Sequence, residues 1–123
     1  MTLYHFCADK HVNKILRDGI TIGALVEPTP QGCIIHKGWI WLTTDPDPKD
    51  QSWDTRNLVK YSRTAWRLTV AIPDSERKRV YSRFGIVSIY PACDMLFYLK
   101  GSESWRVYHG MIPKEWIVES KEM

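Results

Sequence analysis

The chain has 123 residues, of which 44% are hydrophobic and 25% charged, as in an ordinary globular domain. This length predicts a single domain over residues 1–123. No apolar run approaches the roughly 18 residues of a membrane-spanning helix, and no signal peptide is visible at the start. The three cysteines form no CxxC pair. We therefore expect a cytoplasmic protein with no membrane partner and no disulfide framework.

The first elements of the chain are a strand and a helix. Residues 3–7 are short, aromatic and apolar, which is typical of a strand. Residues 9–18 place apolar side chains at helical spacing. Asp9 is suited to cap this helix at its start, and Gly19 is suited to the left-handed position at its end. Residues 20–22 predict a brief second strand.

The middle of the chain predicts two further strands. Proline and glycine in residues 27–32 indicate a loop. Residues 38–44 form the clearest strand, because they are dense in β-branched and aromatic side chains. Residues 65–72 alternate between two faces and stop at a proline, as a half-buried strand does. A short basic helix is predicted over residues 74–81.

The last third predicts a short helix over residues 92–99 and late strands at residues 105–109 and 116–118. Strands and helices do not alternate with long crossovers, so the sequence predicts a mixed α+β domain with two or three short helices.

Positive charge is concentrated between residues 56 and 83, which hold eight basic and two acidic side chains. Such a segment attracts the phosphates of a nucleotide or nucleic acid, or an acidic partner. A solvated surface is the equally open alternative.

Common catalytic motifs are absent from the sequence. It has no GxxxxGK[ST] or GxGxxG phosphate loop and no HExxH zinc motif, and its four histidines are scattered. We therefore expect no metal site.

Three positions remain as candidates for chemistry. His5 lies in the middle of the first strand, where its two ring nitrogens need partners from a ligand or from the protein. Thr43 and Thr44 end the strongest strand, and their hydroxyls can orient a ligand or bond the turn backbone. Glu103 precedes a late strand, where it faces either a cleft or solvent.

These positions occur in a recognisable pattern. Leu-Tyr-His-Phe at residues 3–6, the Ile-Leu pair at 15–16 and Asp-Gly-Ile at 18–20 resemble the opening of ADP-ribosyltransferase-like domains. DNA-modifying ADP-ribosyltransferase toxins and RNA 2′-phosphotransferases begin in a similar way. Residues 39–44 are similar to the strand that carries the serine/threonine motif of this superfamily. Residues 103–117 are similar to the end of small bacterial and phage proteins of this type.

The resemblance implies a mostly antiparallel split sheet that holds NAD, the substrate, in a cleft. His5 would bond the ribose next to nicotinamide, and Thr43 and Thr44 would shape the nicotinamide pocket. Glu103 would be catalytic, polarising the ribose hydroxyl and stabilising positive charge on the sugar. The resemblance also implies further NAD contacts, namely Tyr4 and Phe6 beside His5, Tyr61 or Trp41 against nicotinamide, and Arg56, Arg63 or Arg67 at the pyrophosphate.

Three functions stay open at this point. The first is transfer of ADP-ribose to a protein or nucleic-acid target. The second is a non-catalytic binding or inhibitor module, phage-encoded for example, that captures a host protein or nucleic acid through a basic, Trp-rich face. The third is nucleic-acid binding, with arginines on phosphates and aromatic rings on bases.

Overall fold

The protein is an α+β domain whose computed structural model describes residues 1–47, 65–99 and 101–123. The strands are β1 (Thr2–Cys7), β2 (Ala24–Thr29), β3 (Gly32–Lys37), β4 (Trp39–Thr43), β5 (Trp66–Ala71), β6 (Val80–Tyr81), β7 (Trp105–His109) and β8 (Ile117–Glu122). The α-helices are α1 (Asp9–Asp18) and α2 (Arg83–Ile89), and short 3₁₀-helices cover Asp74–Arg79, Pro91–Tyr98, Ser102–Ser104 and Lys114–Trp116. The predicted α+β class is confirmed.

The main sheet has the strand order β6-β7-β4-β1-β5-β8, and every neighbouring pair is antiparallel. Its central junction is narrow. Strand β1 pairs with β5 from Thr2 to Cys7, whereas it pairs with β4 only where Tyr4 faces Thr43. The sheet is therefore almost divided between β1 and β4, into a β6-β7-β4 half and a β1-β5-β8 half.

Each face of the main sheet has its own packing. One face carries a core that spans both halves of the sheet and includes Leu3, Ile40, Leu42 and Val70. The opposite face of the β4-β7 half packs beneath α2 and the 3₁₀-helix Pro91–Tyr98, through residues that include Trp39, Trp105 and Val107.

The alternation predicted for residues 65–72 is confirmed. Leu68 and Val70 are fully buried in β5, while Arg67 and Thr69, which alternate with them, are half-buried. The proline that follows the strand ends it as predicted, because proline cannot donate to the next ladder position.

Helix α1 has the predicted bounds, but its predicted cap is wrong. The N-cap residue is Ala8, with no side-chain hydrogen bond to the helix start. Asp9 instead accepts a hydrogen bond from the indole of Trp66, at 2.8 Å, so its carboxylate is used in a tertiary contact. Gly19 does end the helix, with a φ of +84°.

Residues 20–22 do not form the brief strand predicted from their sequence. Ile20 makes an isolated antiparallel bridge to Ile112, in which each backbone N–H donates to the other carbonyl, at 2.9 and 3.0 Å. The bridge holds this segment against the connection between β7 and β8.

The loop predicted over residues 27–32 is confirmed only as a turn at residues 30–31, because β2 and β3 extend to it on either side as a separate two-stranded hairpin. Strand β2 includes Pro28 and runs to Thr29, which pairs with Gly32 across the turn. Proline is tolerated where a strand's N–H need not join a ladder, as in a ribbon with free edges. Its presence was therefore not a reliable loop signal.

Two helical predictions need correction as well. The basic stretch is a 3₁₀-helix, Asp74–Arg79, and Val80 and Tyr81 after it pair with β7 as a strand. The helix predicted over residues 92–99 is a 3₁₀-helix that begins at Pro91, and α2 before it was not predicted. The apolar run from residue 86 lacks the clear period that identifies an amphipathic helix.

None of the helices in the described ranges has the length and hydrophobicity needed to cross a bilayer.

Candidate functional site

His5 lies at the point where β1 and β4 separate. Its Nδ1 is 2.9 Å from the backbone carbonyl oxygen of Trp41, on the strand from which β1 diverges. Strands β1 and β4 pair only at Tyr4 and Thr43. The His5 ring therefore supplies the hydrogen bond to a β4 carbonyl that the backbone of β1 does not make. This accounts for a histidine in the middle of the first strand.

The electrostatic setting of His5 fixes its protonation. Burial lowers its pKa from the ordinary 6.5, and the hydrogen bond to Trp41 opposes that effect only in part. The neutral imidazole is therefore the form present at pH 7. Because a carbonyl can only accept, the proton sits on Nδ1, and Nε2 keeps a lone pair that accepts hydrogen bonds.

A cavity of about 540 Å³ opens beside His5. Its walls come from one stretch of chain, namely the end of β1, one side of α1 and the segment after the helix. The lining residues are His5, Phe6, Cys7, Ala8, His11, Lys14, Ile15 and the segment from Gly19 to Ile22. Its volume lies in the range of small-molecule sites.

The thiol in this cavity is not poised for nucleophilic chemistry. Burial, helped by the negative charge of Asp9, raises the pKa of Cys7 to about 11. The thiolate is the reactive form of cysteine, so Cys7 is inert at neutral pH. Within the described ranges, no three histidine, cysteine or acidic side chains are grouped so that they could hold a metal ion.

The two predicted threonines are used by the protein itself. Thr43 is buried, its hydroxyl donates to the Ser104 hydroxyl at 3.1 Å, and it accepts from the backbone N–H of Asp45 at 3.0 Å. Thr44 is exposed, and its backbone N–H donates to the Ser104 carbonyl at 2.9 Å. Both residues thus fasten the end of β4 to the turn before β7, and neither lines the cavity.

Glu103 is brought to the same end of the sheet by this fastening. It is exposed in the 3₁₀-helix Ser102–Ser104, directly before β7. The register runs from Tyr4 to Thr43 and on to Trp105, so β1, β4 and β7 align here. Glu103 lies beyond this row, towards the start of β1, whereas the cavity lies at the Cys7 end of β1 and does not include Glu103 in its lining.

Tyr4 and Arg67 belong to the opposite face of the sheet from His5, because successive strand residues alternate. The Arg67 guanidinium lies over the Tyr4 ring, 5.5 Å from its centre. It also donates to the Pro46 carbonyl at 3.1 Å and lies 3.6 Å from a Glu119 carboxylate oxygen. Arg67 is thus held by the protein, away from the cavity.

The remaining predicted contacts divide into two groups. Phe6 lines the cavity next to His5. Trp41 does not, because its indole donates to the Ala24 carbonyl at 3.2 Å and packs edge-on against Trp105. The predicted Arg56, Tyr61 and Arg63 lie outside the described residues.

Sequence reasoning missed the contribution of helix α1 to the cavity. His11 and Lys14 are one turn apart on the helix side that begins at Ala8 and includes Ile15. The available signal was their spacing on a helix packed directly after the His5 strand.

Comparisons with family models, with curated proteins and with solved structures gave no match to this chain.

Proposed function

We propose that this protein is an ADP-ribosyltransferase-like protein that binds NAD in the cavity beside His5. The observation that carries the proposal is the neutral, oriented imidazole of His5 at the split of the sheet. With Nδ1 committed to Trp41, Nε2 is an acceptor suited to a sugar hydroxyl. The cavity beside it has room for a ligand of this kind.

The proposed reaction breaks the bond between the ribose anomeric carbon and the nicotinamide nitrogen. Nicotinamide leaves with the bonding electrons, and a nucleophile on a protein or nucleic-acid target bonds to that carbon and loses its proton. Positive charge develops on the sugar, which a carboxylate stabilises electrostatically. Glu103 is proposed for this role because the resemblance assigns it there; it lies in the 3₁₀-helix directly before β7, outside the cavity lining.

Binding is tested by titrating NAD into the purified protein, with tryptophan fluorescence and calorimetry as readouts. We expect saturable binding that weakens about tenfold or more in His5→Ala, because one buried hydrogen bond to the ligand is lost. His109→Ala is the matched control, since His109 is an exposed histidine that does not line the cavity. No binding at millimolar NAD, or equal affinity in both variants, would contradict the proposal.

Transfer is tested separately with Glu103→Gln. We expect NAD turnover to fall about a hundredfold while NAD affinity is kept, because the carboxylate acts on charge that develops after binding. Glu115→Gln, at another exposed glutamate before a strand, is the control. Unchanged turnover in Glu103→Gln would remove Glu103 from the catalytic step.

A second candidate function is capture of a protein or nucleic-acid partner without catalysis, and an exposed aromatic surface on α2 and the 3₁₀-helix after it supports it. Trp39 and Trp105 are buried, Trp41, Trp66 and Trp116 are half-buried, and Trp53 lies outside the described residues. Phe84 on α2 and Tyr98 on the next 3₁₀-helix are instead 74% and 84% exposed, and Arg83 lies over the Phe84 ring. A stoichiometric partner in a pull-down, lost in the Phe84→Ser, Tyr98→Ser double variant, would favour this function.

A further inference from the structure

We propose that His11 and Lys14 form the subsite of this cavity that binds a pyrophosphate group of a nucleotide. The inference rests on the proposed function for the identity of NAD. Its chemical content, a diphosphate site on helix α1, is tested independently of that function.

The first argument is position. His11 and Lys14 are three positions apart on α1, so they are neighbours on one side of the helix. Both line the cavity that His5 also lines from the neighbouring strand. The cavity therefore has a neutral acceptor from the sheet and two nitrogen-bearing side chains from the helix. A ligand with a sugar and phosphates suits this arrangement, with the sugar at His5 and the phosphates at His11 and Lys14.

The second argument is charge. Among the described residues, the titratable side chains that line the cavity are those of His5, Cys7, His11 and Lys14, with no carboxylate. Cys7 is neutral because burial raises the pKa of its thiol to about 11. Asp9 accepts from the Trp66 indole, and Asp18 pairs with Arg17. The charge of Lys14 also helps to lower the pKa of Asp18, but the Asp18 carboxylate does not line the cavity. A cavity with this lining favours an anionic group, and lysine is a common phosphate ligand.

The third argument is the placement of the arginine that the sequence suggested for this role. Arg67 lies on the other face of the sheet, engaged with Pro46, Glu119 and Tyr4. Within the described residues, the side chain that brings a fixed positive charge to the cavity is Lys14. The structure thus favours a phosphate subsite on α1 over one at Arg67.

The experiment compares ligands that differ in phosphate content. ADP-ribose, ADP, inorganic pyrophosphate and adenosine are titrated calorimetrically into the wild-type protein, Lys14→Met, His11→Gln and Lys10→Met. Lys10 is the matched control, because it is an exposed lysine of the same helix that does not line the cavity. Thermal melts of each variant verify that it is folded.

We expect ADP-ribose and ADP to bind at least about tenfold more tightly than adenosine, because a charge-assisted contact to phosphate is present only in the first two. Lys14→Met, and more weakly His11→Gln, should remove that advantage and leave adenosine binding unchanged. Lys10→Met should behave as wild type. Rising salt should weaken ADP binding and spare adenosine binding.

The outcomes separate the subsite from the proposed function. Lys14-dependent binding of ADP or pyrophosphate, together with NAD affinity that is indifferent to His5→Ala, would support the subsite and contradict NAD as the substrate. His5-dependent NAD binding, with Lys14→Met equal to Lys10→Met, would overturn the subsite and leave the proposed function standing. Absence of ADP and pyrophosphate binding at millimolar concentration would also overturn the subsite.

Discussion

At the scale of single residues, His5 joins the architecture to the proposed chemistry. One hydrogen bond to the Trp41 carbonyl both completes β4 and selects the tautomer that leaves Nε2 as an acceptor. The sequence indicated that His5 needed partners, but it did not identify them, because Trp41 is distant in the chain and meets His5 only where the strands diverge. Thr43 was expected to meet a ligand, but its hydroxyl bonds to Ser104 and Asp45 of the protein instead.

The pH dependence of stability tests the state of His5. Its pKa is lowered in the folded protein, so below pH 6.5 the unfolded chain binds more protons than the folded one. The contribution of His5 is therefore complete above pH 6.5 and is lost as the pH falls, by at most about 1.4 kcal/mol per pH unit. His5→Asn should lack this component, because an amide donates to Trp41 without titrating.

Urea denaturation of both proteins between pH 7.5 and 5 measures the difference. A wild-type free energy of unfolding that parallels His5→Asn across this range would show that His5 is not held neutral. NMR titration of the His5 ring supplies a direct check on the same pKa.

At the scale of elements, the sequence predicted those with strong local signals. The bounds of α1 followed from its apolar spacing and Gly19, and β4 followed from its β-branched and aromatic content. The β2-β3 hairpin was missed because Pro28 imitates a loop in a ribbon whose edges are free. The cavity was missed because it needs α1 placed against the segment after it, which local pattern does not specify.

Gly19 tests how that segment is held. Its φ is +84°, and a methyl group there would overlap the Ile112 carbonyl oxygen. Gly38 has a similar φ of +87° but open space around it. Comparing the two glycines therefore separates the cost of the positive φ from the cost of the clash with Ile112. We expect Gly38→Ala to cost about 1–2 kcal/mol, the penalty for a left-handed residue, and Gly19→Ala to cost at least about 2 kcal/mol more.

Chemical denaturation of the two variants measures these costs. Equal destabilisation would show that the contact between Gly19 and Ile112 does not constrain the structure. A cavity ligand should also bind more weakly to Gly19→Ala than to Gly38→Ala, because only Gly19 lies in the cavity wall.

At the scale of the whole molecule, a narrow backbone junction is compensated by a shared core. Strands β1 and β4 pair at one position, yet Leu3 and Val70 from one half pack in the same cluster as Ile40 and Leu42 from the other. Side-chain burial, rather than the hydrogen-bond ladder, joins the halves. The domain therefore stays one packed unit although β1 and β4 pair at only one position.

The shared core predicts one cooperative unfolding transition. Leu42→Ala should destabilise the protein by about 2–5 kcal/mol, since it removes a buried side chain of this cluster. Met111→Ala, at an exposed apolar residue, should change the free energy of unfolding by less than about 0.5 kcal/mol. Tryptophan fluorescence and far-UV circular dichroism should give coincident urea transitions. Two separate transitions would show that the halves unfold independently.

The bridge between Ile20 and Ile112 also determines when the cavity forms during folding. The residues that line the cavity are close together in the chain, between His5 and Ile22. Their wall is fixed, however, by a bridge that closes a very long loop of chain. Contacts of such large sequence separation are slow to form. We therefore expect the cavity to be complete only once this bridge has closed, so that a chain with helix α1 formed but the bridge open would not yet bind a ligand.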